Sequence, residues 1–379
     1  MEDEIPEIIT KPWLKRDDIA SKYGAVAAWV DEGTGLVKVL LRGKSFNSNG
    51  ISTLTDKNGA RLTDEEFDYL DNSSDGLLLA CVRGGKYGYL DSSGSFAVSP
   101  IYDWAQHFHE GRAWVVRNGK HLIIDKKGME IQPESLPQGD YVEVCPFFHG
   151  RARISIVDFT DENGWKSLAF YHDNEQDAGV WGYVDKNGKL LVSPQYIFAE
   201  DFSGKLAIVC KGKWTHDEKW NNRLVKGRVW SERMDWGAID RAGKEVIPCK
   251  FKEIRWRPWD SKYHYANDTI TKRYLAAQDY NDQWGIIDFH GNWIVPPQFG
   301  DIDYCDTSPN GDMFVFYSEN MWINVDETPC GVYSISRQCV LIPAEKFVEI
   351  TFEDDQKVTC STFDGQSEEI HLPELTKVL

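Results

Sequence analysis

The sequence predicts an all-β protein built of tandem antiparallel hairpin repeats. Three observations predict it. A turn of the form Asp-x-x-Gly recurs after short apolar runs, prolines recur a few residues beyond it, and aromatic residues are concentrated, with 15 Trp, 16 Tyr and 18 Phe making 13% of the chain. A repeat at this scale means stacked or radial supersecondary units. The expected arrangement is an open, solenoid-like array, with a seven-bladed β-propeller as the alternative.

The turn occurs as Asp56-Lys-Asn-Gly59, Asp91-Ser-Ser-Gly94, Asp125-Lys-Lys-Gly128, Asp185-Lys-Asn-Gly188, Asp240-Arg-Ala-Gly243 and Asp288-Phe-His-Gly291. A seventh copy carries Ser334 at the Asp position. The Asp carboxylate can accept a hydrogen bond from backbone two residues on, and the Gly tolerates positive φ. Together they fit a type I turn ending in a glycine bulge, which closes a hairpin.

The four residues before each turn form an inbound strand, called here the motif strand. It reads Tyr87-Gly-Tyr-Leu90, His121-Leu-Ile-Ile124, Trp181-Gly-Tyr-Val184, Trp236-Gly-Ala-Ile239, Trp284-Gly-Ile-Ile287 and Cys330-Gly-Val-Tyr333, with Ser52-Thr-Leu-Thr55 a weaker first copy. A return strand follows, as in Ser95-Phe-Ala-Val-Ser-Pro100 and Asn292-Trp-Ile-Val-Pro296. Its proline, having no N–H, is expected to end the ladder. A third strand comes after an aromatic and a small turn, as in Phe108-His-Glu-Gly111 before Arg112-Ala-Trp-Val-Val116. It feeds the next motif strand through turns such as Arg83-Gly-Gly-Lys86 and Arg117-Asn-Gly-Lys120. Each unit is thus a meander of three strands, or four if Ile101-Tyr102-Asp103 pairs as well.

Motif strands are apolar on both alternating faces, so each unit is expected to pack between neighbours. Trp236 and Trp284 are then core residues, and removing either ring is expected to cost comparable stability. The glycine after each tryptophan, lacking a Cβ, admits a neighbouring aromatic ring or backbone. The expected division is an irregular segment over residues 1–45 and an array of about seven repeats over 46–379, with insertions near 158–178, 211–234 and 255–282.

The copies Trp181-Gly-Tyr-Val-Asp-Lys-Asn-Gly-Lys189, Trp236-Gly-Ala-Ile-Asp-Arg-Ala-Gly-Lys244 and Trp284-Gly-Ile-Ile-Asp-Phe-His-Gly291 resemble the bacterial WG-repeat family. The resemblance runs from about residue 46 to 360. It implies a non-enzymatic interaction module of β-repeats, of a kind found as binding or immunity proteins beside toxin or secretion systems. The copies at 121–133 and 330–343 depart from the pattern, the first lacking Trp-Gly and the second carrying Cys330 and Ser334.

Composition excludes several classes. A formal charge of −18 argues against wholesale nucleic-acid binding, which needs positive surface. The chain contains no apolar run of the roughly 18 residues that span a bilayer. Its acidic opening, Met1-Glu-Asp-Glu, is unlike a secretory signal, so a cytoplasmic protein is expected. Eight cysteines without a C-x-x-C pair read as reduced thiols, with Cys81, Cys145 and Cys210 in strand-like runs. No metal site, cofactor or catalytic motif is expected, and the pair His107-Phe-His109 is placed in a loop.

Function is read from the extra length. Residues 201–275 hold 17 Lys+Arg against 10 Asp+Glu, a local +7, whereas residues 301–379 hold 4 against 16, a local −12. Trp and Arg are favoured interface anchors. The candidate partner-binding residues are therefore Trp214, Trp220, Trp230, Trp256, Arg257, Trp259 and Tyr263, on insertions expected to project from one side. The leading expectation is a module that binds a protein partner, such as a toxin or effector. A carbohydrate or cell-envelope binder using exposed tryptophans is the alternative, and an enzyme with an unrecognised site is third.

Overall fold

The motif turns form as their chemistry requires. In the computed structural model, which describes residues 19–42, 50–131, 141–157, 179–212, 215–217, 228–230, 234–255, 274–319 and 328–373, the Asp240 carboxylate accepts the backbone N–H groups of Ala242 and Lys244, both at 2.9 Å. Gly243 N–H donates to the Asp240 carbonyl at 2.9 Å, with Gly243 at a φ of 83°. The turns at Asp56, Asp91, Asp125, Asp185 and Asp288 repeat these bonds. In the degenerate copy Asp312, from the neighbouring strand end, substitutes for the absent aspartate. Its carboxylate accepts Ser336 N–H at 2.8 Å and the Ser334 hydroxyl at 2.7 Å.

Among the described residues the strands form six antiparallel sheets and a two-stranded ribbon. The repeating sheet has four strands in chain order: a short strand, an approach strand, the motif strand and the return strand. Examples are Phe198–Ala199, Leu206–Lys211, Asp235–Asp240 and Glu245–Phe251, and then Glu253–Arg255, Leu275–Gln278, Trp284–Ile287 and Trp293–Phe299. The fourth strand left open by the sequence is the short one, such as Trp104–Ala105, while Ile101 and Tyr102 belong to the return strand Phe96–Tyr102. Seven motif copies yield six sheets because the first two share a seven-stranded one, from Ala27–Val30 to Phe96–Tyr102. The last sheet adds the strands Lys357–Thr362 and Ser367–His371.

The proline does not end the ladder, contrary to expectation. Pro248 and Pro296 lie inside the return strands Glu245–Phe251 and Trp293–Phe299, at a bulge. Trp284 faces Phe299 while Ile286 faces Val295, so two motif-strand residues span four return-strand residues. The pairs Trp236 with Phe251 and Ala238 with Ile247 repeat this, as do Tyr87 with Tyr102 and Tyr89 with Val98. A bulge leaves residues without ladder partners, so a missing N–H costs nothing there. The motif glycine faces it. A Cβ on Gly285 would lie 2.6 Å from the Val295 carbonyl oxygen and 2.9 Å from Pro297 nitrogen. For Gly237 the same atom would lie 2.5 Å from the Ile247 carbonyl oxygen and 2.8 Å from Cys249 nitrogen. The close approach thus comes from the unit's own return strand.

Two compact units divide the chain: Met1–Ile156 with Gly182–Ser193, and Val157–Trp181 with Pro194–Leu379. Within the first, apolar clusters join consecutive sheets through Leu79, Tyr89, Val98, Phe108 and Val115, and then through Trp114, Ile123, Phe147, Ile154 and Val184. Within the second, Ile208, Ile247, Phe251, Leu275 and Ile287 form one such layer, and Trp284, Phe299, Phe314 and Tyr333 another. The aromatics that end the return strands Phe96–Tyr102, Leu190–Tyr196, Glu245–Phe251 and Trp293–Phe299 are buried, as is Phe347, which pairs with Cys330 in the last sheet.

Two boundaries differ from expectation. Residues 1–45 are not wholly irregular, because Ala27–Val30 and Val37–Arg42 are paired strands whose apolar side chains pack on Ile19. Residues 255–282 are not all insertion, because Leu275–Gln278 is the approach strand of its sheet. Among the described residues no helix is long and apolar enough to cross a membrane.

The turn geometry makes a direct prediction. Gly243→Val places a β-branched side chain at positive φ and should destabilise by about 1–3 kcal/mol. Asp240→Asn keeps the accepting oxygen and should change little. Thermal melts of the two variants check both outcomes, and an unchanged melting temperature for Gly243→Val would reject the turn assignment.

Candidate functional site

The histidine pair lies in a loop, as expected, and both rings are structural connectors. His107 Nε2 meets the Asp71 carboxylate at 3.0 Å, and His109 Nδ1 meets the Phe147 carbonyl at 2.5 Å. Asp71 also accepts the Tyr69 hydroxyl. Burial alone would raise the Asp71 pKa, but the hydrogen bonds from His107 and Tyr69 hold it well below the usual carboxylate range. Burial, reinforced by Asp71, pushes the Tyr69 phenol up, so it is a proton donor to the carboxylate and not a nucleophile. Burial also raises the thiol pKa of Cys210, and that of Cys249 to about 12, which keeps both protonated. Among the described residues no three His, Cys, Asp or Glu side chains converge as a metal site.

Further staples hold the turns of the first unit together. Glu110 accepts the N–H groups of His149 and Gly150 at 2.7 and 2.8 Å and pairs with Lys186 at 3.0 Å. Asp75 accepts Gly111 N–H at 2.6 Å. The polar groups at this end of the sheets are engaged in fixing one turn against the next.

The other end of the sheets, where approach and motif strands join, is where aromatic residues reach the surface. In the second unit the motif tryptophans differ there. Trp284 is fully buried, and the Arg255 guanidinium carbon lies 3.9 Å from its ring centroid. Arg255 is itself held by Asp301, at 2.6 Å, and by Glu253, at 2.7 Å. Trp236 is only half-buried, which corrects its placement in the core. It stacks on Phe198 with centroids 5.9 Å apart and planes at 13°. Beside it Met234 and Tyr280 are exposed, and the Tyr280 hydroxyl donates to the Met234 carbonyl at 2.9 Å and bonds to the Asp235 carboxylate. Arg255, from the first strand of the same sheet, covers Trp284. At the corresponding register position of the preceding sheet the chain carries Glu200.

The foot of the 211–234 insertion lies at this edge, between the paired residues Lys211 and Asp235. Residues 256–273 instead leave Arg255 at the turn end of their sheet, so the two insertions do not share one end, as had been expected. Trp214, Trp220, Trp256, Arg257, Trp259 and Tyr263 lie outside the described residues. Trp230 falls in the two-stranded ribbon, its backbone paired with Thr215. The sequence missed Phe198, Tyr280 and the exposure of Trp236. The available signal was the short strand after each return-strand aromatic, which reads Phe198-Ala-Glu in one copy and Glu253-Ile-Arg in the next.

Comparison with known proteins fits this architecture. The WG containing repeat matches residues 87–120, 181–220, 236–261 and 284–305. None of the curated proteins matches the chain. Similar solved structures include a eukaryotic initiation factor, 11% identical, covering 92% of this chain and 89% of its own, with a TM-score of 0.36. BamB from Moraxella catarrhalis is 10% identical over 93% of this chain and 83% of its own, with a TM-score of 0.29. At these scores neither carries an argument about this chain.

Two outcomes follow from the site. Trp284→Ala should cost about 3–5 kcal/mol, and Trp236→Ala clearly less, because part of its ring is already in water. Equal losses in denaturant titrations would overturn the distinction. Asp71, whose folded pKa is depressed, contributes stability that is full above the unfolded value of about 4 and is lost as pH falls below it. The gap in melting temperature between wild type and Asp71→Asn should therefore narrow below about pH 4. A gap independent of pH would contradict the role given to the carboxylate.

Proposed function

This chain is a WG-repeat protein, and on that premise we propose that it is a non-enzymatic, cytoplasmic protein-binding module that sequesters a toxin or effector. The observation that carries the reading is the position and composition of the added length. Residues 211–234 are inserted at the joint of approach and motif strands, where the ladder is already complete between Lys211 and Asp235. The insertion is rich in basic and aromatic residues, and at its foot Trp236, Phe198 and Tyr280 form an aromatic margin. Rigid sheets that present such a margin suit recognition more than turnover. The Cys210 and Cys249 thiols are protonated, and Asp71 and Glu110 are engaged in holding loops together. Burial of Trp181 and Trp284 weighs against a sugar-binding role for the motif tryptophans.

Trp220 and Trp256 are the anchors on which the proposal is tested. Capture of a partner from the native cell, identified by mass spectrometry, precedes titration with the purified pair. The double variant Trp220→Ala and Trp256→Ala should keep its stability within about 1 kcal/mol and lose about 2 kcal/mol or more of affinity. Added salt should weaken binding further, since charged contacts are screened over about 10 Å at 0.1 M. A double variant that binds as wild type would move the recognition surface elsewhere on the chain.

A further inference from the structure

The outer edges of the sheets are not alike. The return strands Phe96–Tyr102, Leu190–Tyr196, Glu245–Phe251 and Trp293–Phe299 each end a sheet, and they carry Pro100, Pro194, Pro248 and Pro296. A proline at a sheet edge removes a donor that an added strand would need. The last sheet runs on to the edge strand Ser367–His371, which has no proline. Its ladder with Lys357–Thr362 is unbroken by any bulge, from Lys357 opposite His371 to Ser361 opposite Ser367. Thr362 N–H donates to the Gln366 carbonyl at 2.9 Å, and Leu372 N–H to the Gln356 carbonyl at 2.6 Å. Inward bonds alternate along an antiparallel strand. Glu368 and Ile370 therefore bond inward, while Ser367, Glu369 and His371 turn their N–H and C=O groups outward. Among the described residues no strand pairs with that side. The two faces of the edge differ as well. Glu369 stands opposite Thr359 on an exposed face, its carboxylate 2.8 Å from Lys357. Ile370 stands opposite Val358 and packs against the buried cluster of Ile350, Val358 and Cys360.

We propose that the open edge of Ser367–His371 is a strand-addition site, which takes an extended segment of a partner protein that alternates basic and apolar residues. Such a segment bonds to the outward N–H and C=O groups as one more strand of the sheet. Its basic residues lie beside Glu369, and its apolar residues lie beside Ile370, where they extend the core cluster. Charge selects this occupant over a second copy of the chain. Two copies of the strand overlapped antiparallel would set Glu369 opposite Glu369, and like charges directly opposite are destabilising. Residues 301–379, with 4 Lys+Arg against 16 Asp+Glu, draw a basic segment towards this sheet. The surface lies on a different sheet from the foot of the 211–234 insertion and does not depend on it.

The test uses the full chain and two labelled peptides, Thr-Lys-Val-Lys-Val-Lys-Thr and a twin with Glu in place of each Lys. The basic peptide should bind, and the acidic twin should bind at least about tenfold more weakly. Amide exchange read residue by residue should slow at Ser367, Glu369 and His371 and change little at Glu368 and Ile370, whose N–H groups are already bonded. Glu369→Pro removes one outward N–H and leaves the inward ladder intact, so it should melt close to wild type and lose at least about tenfold in affinity. Glu369→Gln keeps that N–H and should bind about twofold to fivefold more weakly, the loss of one cross-strand charge pair. Glu369→Gln and the exchange pattern decide the matter if Glu369→Pro fails to fold. Equal binding of the two peptides, slowed exchange spread evenly over the chain, or undiminished binding by Glu369→Pro would reduce the effect to attraction by net charge and overturn the proposal. Protection of the same three amides that rises with protein concentration in the absence of peptide would assign the edge to a second copy, and would overturn it equally.

Discussion

The space left by one missing Cβ in the motif strand is the constraint on which the other features of the repeat depend. Opposite Gly237 and Gly285 the return strand bulges inward until its backbone occupies the place of a side chain. Neither glycine has a positive φ, so space alone, and not backbone conformation, excludes other residues there. The bulge takes up two extra residues, accommodates a proline that a regular ladder would reject, and brings a buried aromatic into register with the motif tryptophan. That aromatic pair then fills the layer between successive sheets, as Trp284 and Phe299 do. Trp, Gly, Pro and the terminal aromatic are thus one device, read at four points of the sequence.

The Asp-x-x-Gly turn couples this device to the neighbouring repeat. A Cβ on Gly291 would lie 3.1 Å from both Ile247 and Pro248 of the preceding return strand, so the turn sits directly on the earlier bulge. In the first unit Gly128 stands in the same relation to Val98. The Glu110 and Asp75 carboxylates accept hydrogen bonds from the turns that follow them and so secure the same end of the sheets. The polar groups at that end maintain spacing, whereas the opposite edge tolerates added chain and half-buried rings. Recognition is assigned to that edge for this reason.

The local rules were legible in the sequence because each has a composition of its own. Asp and Gly at fixed offsets specified the turns, and Asn118-Gly119, both at positive φ, closed the hairpin that the dipeptide predicts. Apolar residues on both faces of Trp284–Ile287 announced burial between sheets. The fate of the proline was misread, because a residue without an N–H signals either the end of a ladder or a bulge, and only the register distinguishes them. The strands before residue 45 were missed because Ala27–Val30 carries no turn signal of the repeat type. The cover over Trp284 comes from Arg255, two strands away in the same sheet, and motif spacing does not encode that relation.

The edge that distinguishes Trp236 from Trp284 exists only if the glycine bulge builds the sheet beneath it, so the most direct measurement is the sign of a stability change. In an ordinary strand Gly→Ala stabilises by about 0.5–1 kcal/mol, because alanine loses less conformational freedom on folding. At Gly285 the added methyl would meet the Val295 carbonyl oxygen at 2.6 Å, and the account predicts the opposite sign. Denaturant titrations of Gly285→Ala should show a lower midpoint than wild type, with amide exchange accelerated at Trp284 and Ile286. A midpoint equal to or above that of wild type would contradict the claim that this missing Cβ organises the repeat.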